Sequence, residues 1–299
     1  MVEREPAGEP VLVFGSTCVD VLLRVPHLPR SQEDLQPPGQ RFTVGGCAFN
    51  AAHALGRGGA DVTFVTPVGL RGLYGPFVLR RLRSLPWARP VILPDRENGC
   101  CYCLVEPGGE RTFLSVHGAE YGFDPAWMEP YRGSRFGWVY VCGLEIGEPT
   151  GEALVTWLEN AGTGRIFFAP GPRAAQIPPE RIRRMLALRP VLHLNREEAL
   201  TLSGADDVRG AAEALFARTG QPVIVTLGAD GAAFADRDGF RTVPACPVER
   251  VTDTVGAGDA HAGALLLALS RGEPLARAVA LANRAAALAV QTEGSTAED

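Results

Sequence analysis

The chain has 299 residues and 29 basic side chains, and every one of those is arginine; lysine does not occur. Chemistry that runs through a lysine amine is thereby excluded. Pyridoxal-phosphate enzymes and lysine-dependent aldolases both need that amine for a Schiff base. The P-loop places a lysine on its phosphates, and protein kinases hold their nucleotide with a strand lysine. Any cation that a side chain brings to a phosphate here must be an arginine, and Arg173 and Arg196 are the first candidates. Other signals are missing too. There is no C-x-x-C pair, no H-x-x-x-H pair and no G-x-S-x-G elbow. A zinc protease or a serine hydrolase therefore has little support. The segment after the first strand, Gly15-Ser16-Thr17-Cys18, lacks the G-x-G-x-x-G of nicotinamide enzymes.

Basic runs are absent and the net charge is −5, which argues against nucleic acid as the main partner. No apolar stretch approaches the roughly 20 residues of a membrane helix. The first ten residues carry Glu3, Glu5 and Glu9 and no apolar core, so no signal peptide is expected. What is present is the make-up of a globular enzyme: 46% hydrophobic and 21% charged residues, enough for a sizeable core. The length is near the limit for one core, so a single domain over 1–299 is expected, with a small appendage. Seven cysteines include the cluster Cys100-Cys101-Tyr102-Cys103. Neighbours on a strand point to opposite faces, so these thiols read as reduced strand residues in a cytoplasmic protein.

Strand and helix signals alternate. Short apolar runs at 11–15, 61–68, 138–142, 165–169, 191–194 and 222–227 read as strands. Helical patterns fall at 50–55, 76–85, 150–160, 262–269 and 275–290. The alternation predicts a three-layer α/β/α fold on a mainly parallel sheet. Two segments break the rhythm. Residues 21–44 are proline-rich without helical period, and 98–118 read as two strands around Pro107-Gly108-Gly109. They are expected to form either a small separate sheet closing over a site as a lid, or an edge hairpin of the main sheet.

Three points could carry chemistry. The run Asp253-Thr254-Val255-Gly256-Ala257-Gly258-Asp259 leads directly into an apolar helix. Glycines free the backbone, and the N–H groups of a helix start converge on one spot with the positive dipole end behind them. That is an anion site made of backbone. Asp259 beside it suits a base that takes a proton from an attacking hydroxyl, or else it caps the helix. The pair Gly45-Gly46, followed by Asn50, allows a ligand close to the backbone, or is an ordinary turn. Asp20 follows the first strand, where open parallel sheets bind ligands, or is a turn residue. A fourth pair, Asn195 and Glu198, shares one face of a helix start, which suits either plain capping or outer-shell support of magnesium.

Together these segments resemble the ribokinase-like, or PfkB, family of carbohydrate and nucleoside kinases, over nearly the whole chain from Val11 to Gly294. The D-T-x-G-A-G-D segment is the most specific match. The resemblance implies transfer of the ATP γ-phosphoryl group to a sugar hydroxyl, with Mg2+. It makes Asp259 the catalytic base and the amides of Gly256, Ala257 and Gly258 the anion hole. Asp20, Gly45, Gly46, Asn50 and Glu145 become substrate contacts. Asn195 falls near the phosphates, with Glu198 organising magnesium through water. Thr226, Gly228, Gly231 and Asn283 become nucleotide contacts. Asp253, Val255 and the turn at Gly294 fall where many members bind K+. A homodimer through the lid edges is a further implication.

The chain also departs from the family pattern. Cys47 stands where ribokinases tend to carry lysine, Val68-Gly69-Leu70-Arg71-Gly72 lacks the usual aspartate, and Ala169 cannot bond a hydroxyl. The pattern looks like a less characterised bacterial subgroup of sugar kinases. A nucleoside kinase is the alternative, with Phe49, Tyr102, Phe113 or His117 as a platform for the base. A non-catalytic sugar- or nucleotide-binding regulator is the second alternative. His261, two residues past Asp259, reads as a core histidine.

Overall fold

The computed structural model describes residues 8–108, 110–133 and 135–292. Among these, thirteen strands form a sheet of nine and a sheet of four. The strands are β1 (Val11–Phe14), β2 (Cys18–Arg24), β3 (Gln40–Gly45), β4 (Val62–Arg71), β5 (Ala88–Glu97), β6 (Cys100–Val105) and β7 (Arg111–Val116). There follow β8 (Trp138–Cys142), β9 (Arg165–Ala169), β10 (Val191–Asn195), β11 (Val223–Thr226), β12 (Ala232–Asp236) and β13 (Gly239–Val243). The helices are α1 (Cys47–Arg57), α2 (Tyr74–Arg83), α3 (Pro125–Met128), α4 (Gly143–Gly147) and α5 (Gly151–Asn160). The rest are α6 (Pro179–Ala187), α7 (Arg196–Ser203), α8 (Val208–Thr219), α9 (Ala257–Ser270) and α10 (Leu275–Ala289).

The large sheet runs β13-β12-β11-β10-β9-β8-β1-β4-β5. From β11 through to β5 every pairing is parallel; β12 and β13 are added antiparallel at one edge. Alternation along the strands feeds two cores. Val11 and Val13 pack on the side of α1, α9 and α10, while Leu12 and Phe14 pack on the side of α5, α6 and α8. Trp138 and Tyr140 divide from Val139 and Val141 in the same way. Buried on both faces, these strands need apolar residues at every position, which is why they read as continuous runs.

The proline-rich and hairpin segments form the smaller sheet, ordered β3-β2-β6-β7. It is not an edge of the main sheet, and it begins at Cys18 rather than at 21, so Asp20 sits on it. Its root is fastened by buried polar groups. Asn98 Nδ2 donates to the Thr17 carbonyl at 3.0 Å, and its Oδ1 accepts from the Gly69 N–H at 3.3 Å. The Glu120 carboxylate accepts from the N–H groups of Gly99 (2.7 Å) and Gly118 (2.9 Å), one at each foot of the hairpin.

Candidate functional site

The C-terminal ends of β8, β9, β10 and β11 and the start of α9 surround one region, at the end of a parallel sheet where ligands bind. The helix expected from 262 begins earlier, at Ala257. Gly256 takes a left-handed φ of 74°, which turns the chain straight into the helix; a side chain there would be strained. A Cβ added at Gly258 would meet nothing within 4 Å, so the turn faces open space. Asp259 is the third residue of α9.

The Asp259 carboxyl keeps an opening to a cavity of about 150 Å³ but is otherwise packed in. Burial pushes its pKa up to about 7, while hydrogen bonds from Asn50 and Cys47 pull it down. The Asn50 bond is from Nδ2 to Oδ2 at 2.8 Å. A carboxyl balanced between its two forms near neutral pH is what a proton acceptor needs. Asn50 therefore touches Asp259 itself, and its own Oδ1 is buried with no partner among the described residues.

Backbone geometry requires glycine at Gly46, while at Gly45 a side chain would press on Asp20. A Cβ at Gly45 would lie 2.0 Å from the Asp20 carboxylate, and one at Gly46 would lie 2.9 Å from the Ser16 carbonyl, with φ at 109°. Glu145, from α4, is fully buried. Its Oε1 accepts from the Ser16 N–H and hydroxyl, both at 2.8 Å, and burial raises its pKa. Its Oε2 has no partner among the described residues. Asp20 and Glu145 lie close enough for their charge to raise the Asp259 pKa, and Asn50 is bonded to it.

Thr226, Gly228, Gly231 and Asn283 line a second, mainly apolar cavity of about 400 Å³, which meets the first at Thr226 and Gly258. Asn283 Nδ2 donates to the carbonyls of Val243 (3.1 Å) and Pro244 (2.9 Å). Its Oδ1 therefore faces His261 Nε2 at 3.1 Å as an acceptor, so His261 carries its proton there. His261 Nδ1 then accepts from His193 Nε2 at 2.9 Å. Burial depresses both rings, His261 to about 4, so both are neutral near pH 7. His261 is buried as expected, but it is also a wall of the apolar cavity. Its partner His193 could not be found from sequence, because a strand histidine gives no periodic signal.

Asn195 and Glu198 lock each other in a capping box. The Asn195 side chain accepts from the Glu198 N–H at 2.8 Å and donates to Oε1 at 2.8 Å, while Oε2 accepts the Asn195 N–H at 3.0 Å. Both also line the cavity around Asp259, and burial raises the Glu198 pKa. Capping and presentation to the site are thus the same arrangement.

Two expectations are corrected. Arg173 and Arg196 line neither cavity, and Arg196 turns to Asp230 at 3.7 Å with 55% of its side chain exposed. An arginine that does reach the loop is Arg111, from β7 of the small sheet, which forms a buried ion pair with Asp253. The cation expected at Asp253, Val255 and Gly294 fits poorly there. The Asp253 Oδ1 already takes the Arg111 guanidinium and the Val255 N–H (2.7 Å), and Gly294 lies outside the described residues.

Known proteins are similar to this chain over nearly its whole length. The model of the pfkB family of carbohydrate kinases matches residues 9–299. The uncharacterised sugar kinase YegV of Escherichia coli is 34% identical over 290 residues, covering 95% of this chain and 89% of that protein. A cytidine kinase of Thermococcus kodakarensis is 37% identical over 281 residues, with 91% and 92% covered. A nucleoside kinase of Burkholderia thailandensis, solved in complex with inosine, superposes with a TM-score of 0.79 at 25% identity, covering 95% and 91%. The chain belongs to the pfkB family of carbohydrate kinases.

Proposed function

We propose that this protein transfers the γ-phosphoryl group of ATP to a hydroxyl of a sugar, with Asp259 as the base. Membership of the family makes it a phosphotransferase with a hydroxyl acceptor. The single observation carrying the finer reading is Asp259, set at the start of α9 with a pKa of about 7 beside an open glycine turn. The acceptor hydroxyl gives its proton to Asp259 and attacks the phosphoryl group. The amides of Gly256, Ala257 and Gly258 and the positive end of α9 stabilise the charge on the transferring group. Asp20, Asn50 and Glu145 accept hydrogen bonds from the other hydroxyls. Asn195 lies toward the phosphates, and the apolar cavity at Thr226, Gly228, Gly231 and Asn283 takes the adenine end.

Mg2+ would lie on the phosphates near Glu198. The carboxylate lines the site with lone pairs left for ordered water, which suits support from the outer shell. The ion supplies charge neutralisation on the phosphates. An intact base and an open anion turn speak against a non-catalytic regulator.

The small sheet acts as a lid, and the protein pairs with a second copy through it. Phe42 on one edge strand, with Phe113, Leu114 and Val116 on the other, are exposed apolar side chains that favour such pairing. Among the described residues no helix is long and apolar enough to cross a membrane. The need for ATP and cysteines that form no disulfide among the described residues support a cytoplasmic location.

A nucleoside acceptor is the second reading. The cytidine and nucleoside kinase relatives favour it, as does His117 stacked on Tyr121 with ring centroids 4.0 Å apart. The deciding experiment is a panel of free sugars and nucleosides with ATP and Mg2+, read by ADP release. Turnover of one or more free sugars is expected. Turnover of a nucleoside with none of any sugar moves the assignment to the second reading.

A further inference from the structure

Asp253 stands three residues before the glycine turn, and its side chain is fully buried. A buried carboxylate without a counter-charge costs several kcal/mol, so a cation beside it stabilises this position. The cation in this chain is covalent. Arg111 Nη2 pairs with Asp253 Oδ1, and the arginine side chain is only 9% exposed. Its Nη1 donates to Cys103 Sγ at 3.6 Å on the neighbouring strand β6. The same Asp253 oxygen accepts the Val255 N–H at 2.7 Å, which fixes the turn just before Gly256. One carboxylate oxygen therefore ties the small sheet to the anion turn.

We infer that the Arg111 guanidinium holds the place of a monovalent cation at Asp253, making this kinase independent of K+ and setting its anion turn from the small sheet. The inference rests on the reading of the 253–259 loop as the phosphate site. Geometry separates the two kinds of cation. A bound K+ exchanges with solvent and needs several oxygens around it, whereas a guanidinium brings directed N–H donors and is delivered by its own strand. Arg111 opens β7, opposite Val105, so it moves with the hairpin. It is a positioning residue, since it acts on the phosphate through the loop.

The test compares KCl with tetramethylammonium chloride at equal ionic strength, so that screening is the same. ATP affinity with Mg2+ and thermal unfolding are read for the wild type, Arg111→Met and Arg111→Lys. Wild-type ATP affinity is expected to agree in the two salts within about twofold, and Arg111→Lys is expected to do the same. Arg111→Met should lose affinity about tenfold or more in tetramethylammonium and regain much of it in KCl, where the ion can enter beside Asp253. Wild-type affinity or unfolding temperature that depends on K+ overturns the inference and needs no variant. A foldable Arg111→Met as indifferent to K+ as the wild type also overturns it. ATP bound equally in both salts, with no acceptor turned over, would remove the proposed function and leave this inference standing.

Discussion

On one side of Asp259 the turn at Gly256–Gly258 offers backbone N–H groups and the dipole of α9; on the other, Asp20, Asn50 and Glu145 offer side-chain oxygens. The proposed phosphate side depends on conformation, so any sequence that allows the left-handed φ at Gly256 and the helix after it can build it. The proposed acceptor side depends on which side chains stand there and what holds them. A fold can therefore keep its phosphate chemistry while its acceptor changes, which is why the reaction class is firmer here than the substrate.

Substitutions on the two sides should separate accordingly. Asp259→Asn belongs to both and has the largest effect. Turnover should fall about a thousandfold or more with ATP affinity kept, by steady-state kinetics and calorimetric titration. Gly256→Val attacks the backbone side only. A β-branched residue at positive φ is strained, and with the turn distorted kcat should drop about a hundredfold for every acceptor alike. Asn50→Ala attacks the other side, at the hydrogen bond from Asn50 to the base. Losing the bond from Asn50 raises the Asp259 pKa further, so the acid limb of the pH profile should move up and kcat at pH 7 fall about tenfold, with recovery at higher pH. Equal losses for Gly256→Val and Asn50→Ala across pH would erase the distinction.

The smallest effect is on stability. The folded pKa of Asp259 lies above its unfolded value, so the folded state holds the extra proton between about pH 4 and 7. Its contribution is complete below that window and is lost as pH rises through 7. Asp259→Asn should therefore raise the unfolding temperature by a few degrees at pH 8 and change little at pH 4, in thermal melts. The gain is limited because the carboxyl still opens onto the cavity.

The same division explains what could be read in the sequence. The strands at 138–142 and 165–169 were legible to the residue, since each is an apolar run covered on both faces. The glycine turn and Asp259 were legible because conformation demands glycine. Arg111, His193 and the Asn50–Asp259 bond were not. Each is a contact across at least 68 positions of chain, and Arg111 on an edge strand reads as one more exposed arginine. Arg173 follows β9 and Arg196 opens α7, each just past a strand end, but sequence gives no direction to a side chain.

The most direct measurement is kcat/KM of the wild type against pH, with whichever acceptor the panel identifies. An acid limb with an apparent pKa near 7 is expected, carried by Asp259 and moved upward in Asn50→Ala. A profile flat from about pH 5.5 to 8.5 in both proteins would contradict a buried, tuned carboxylate as the base.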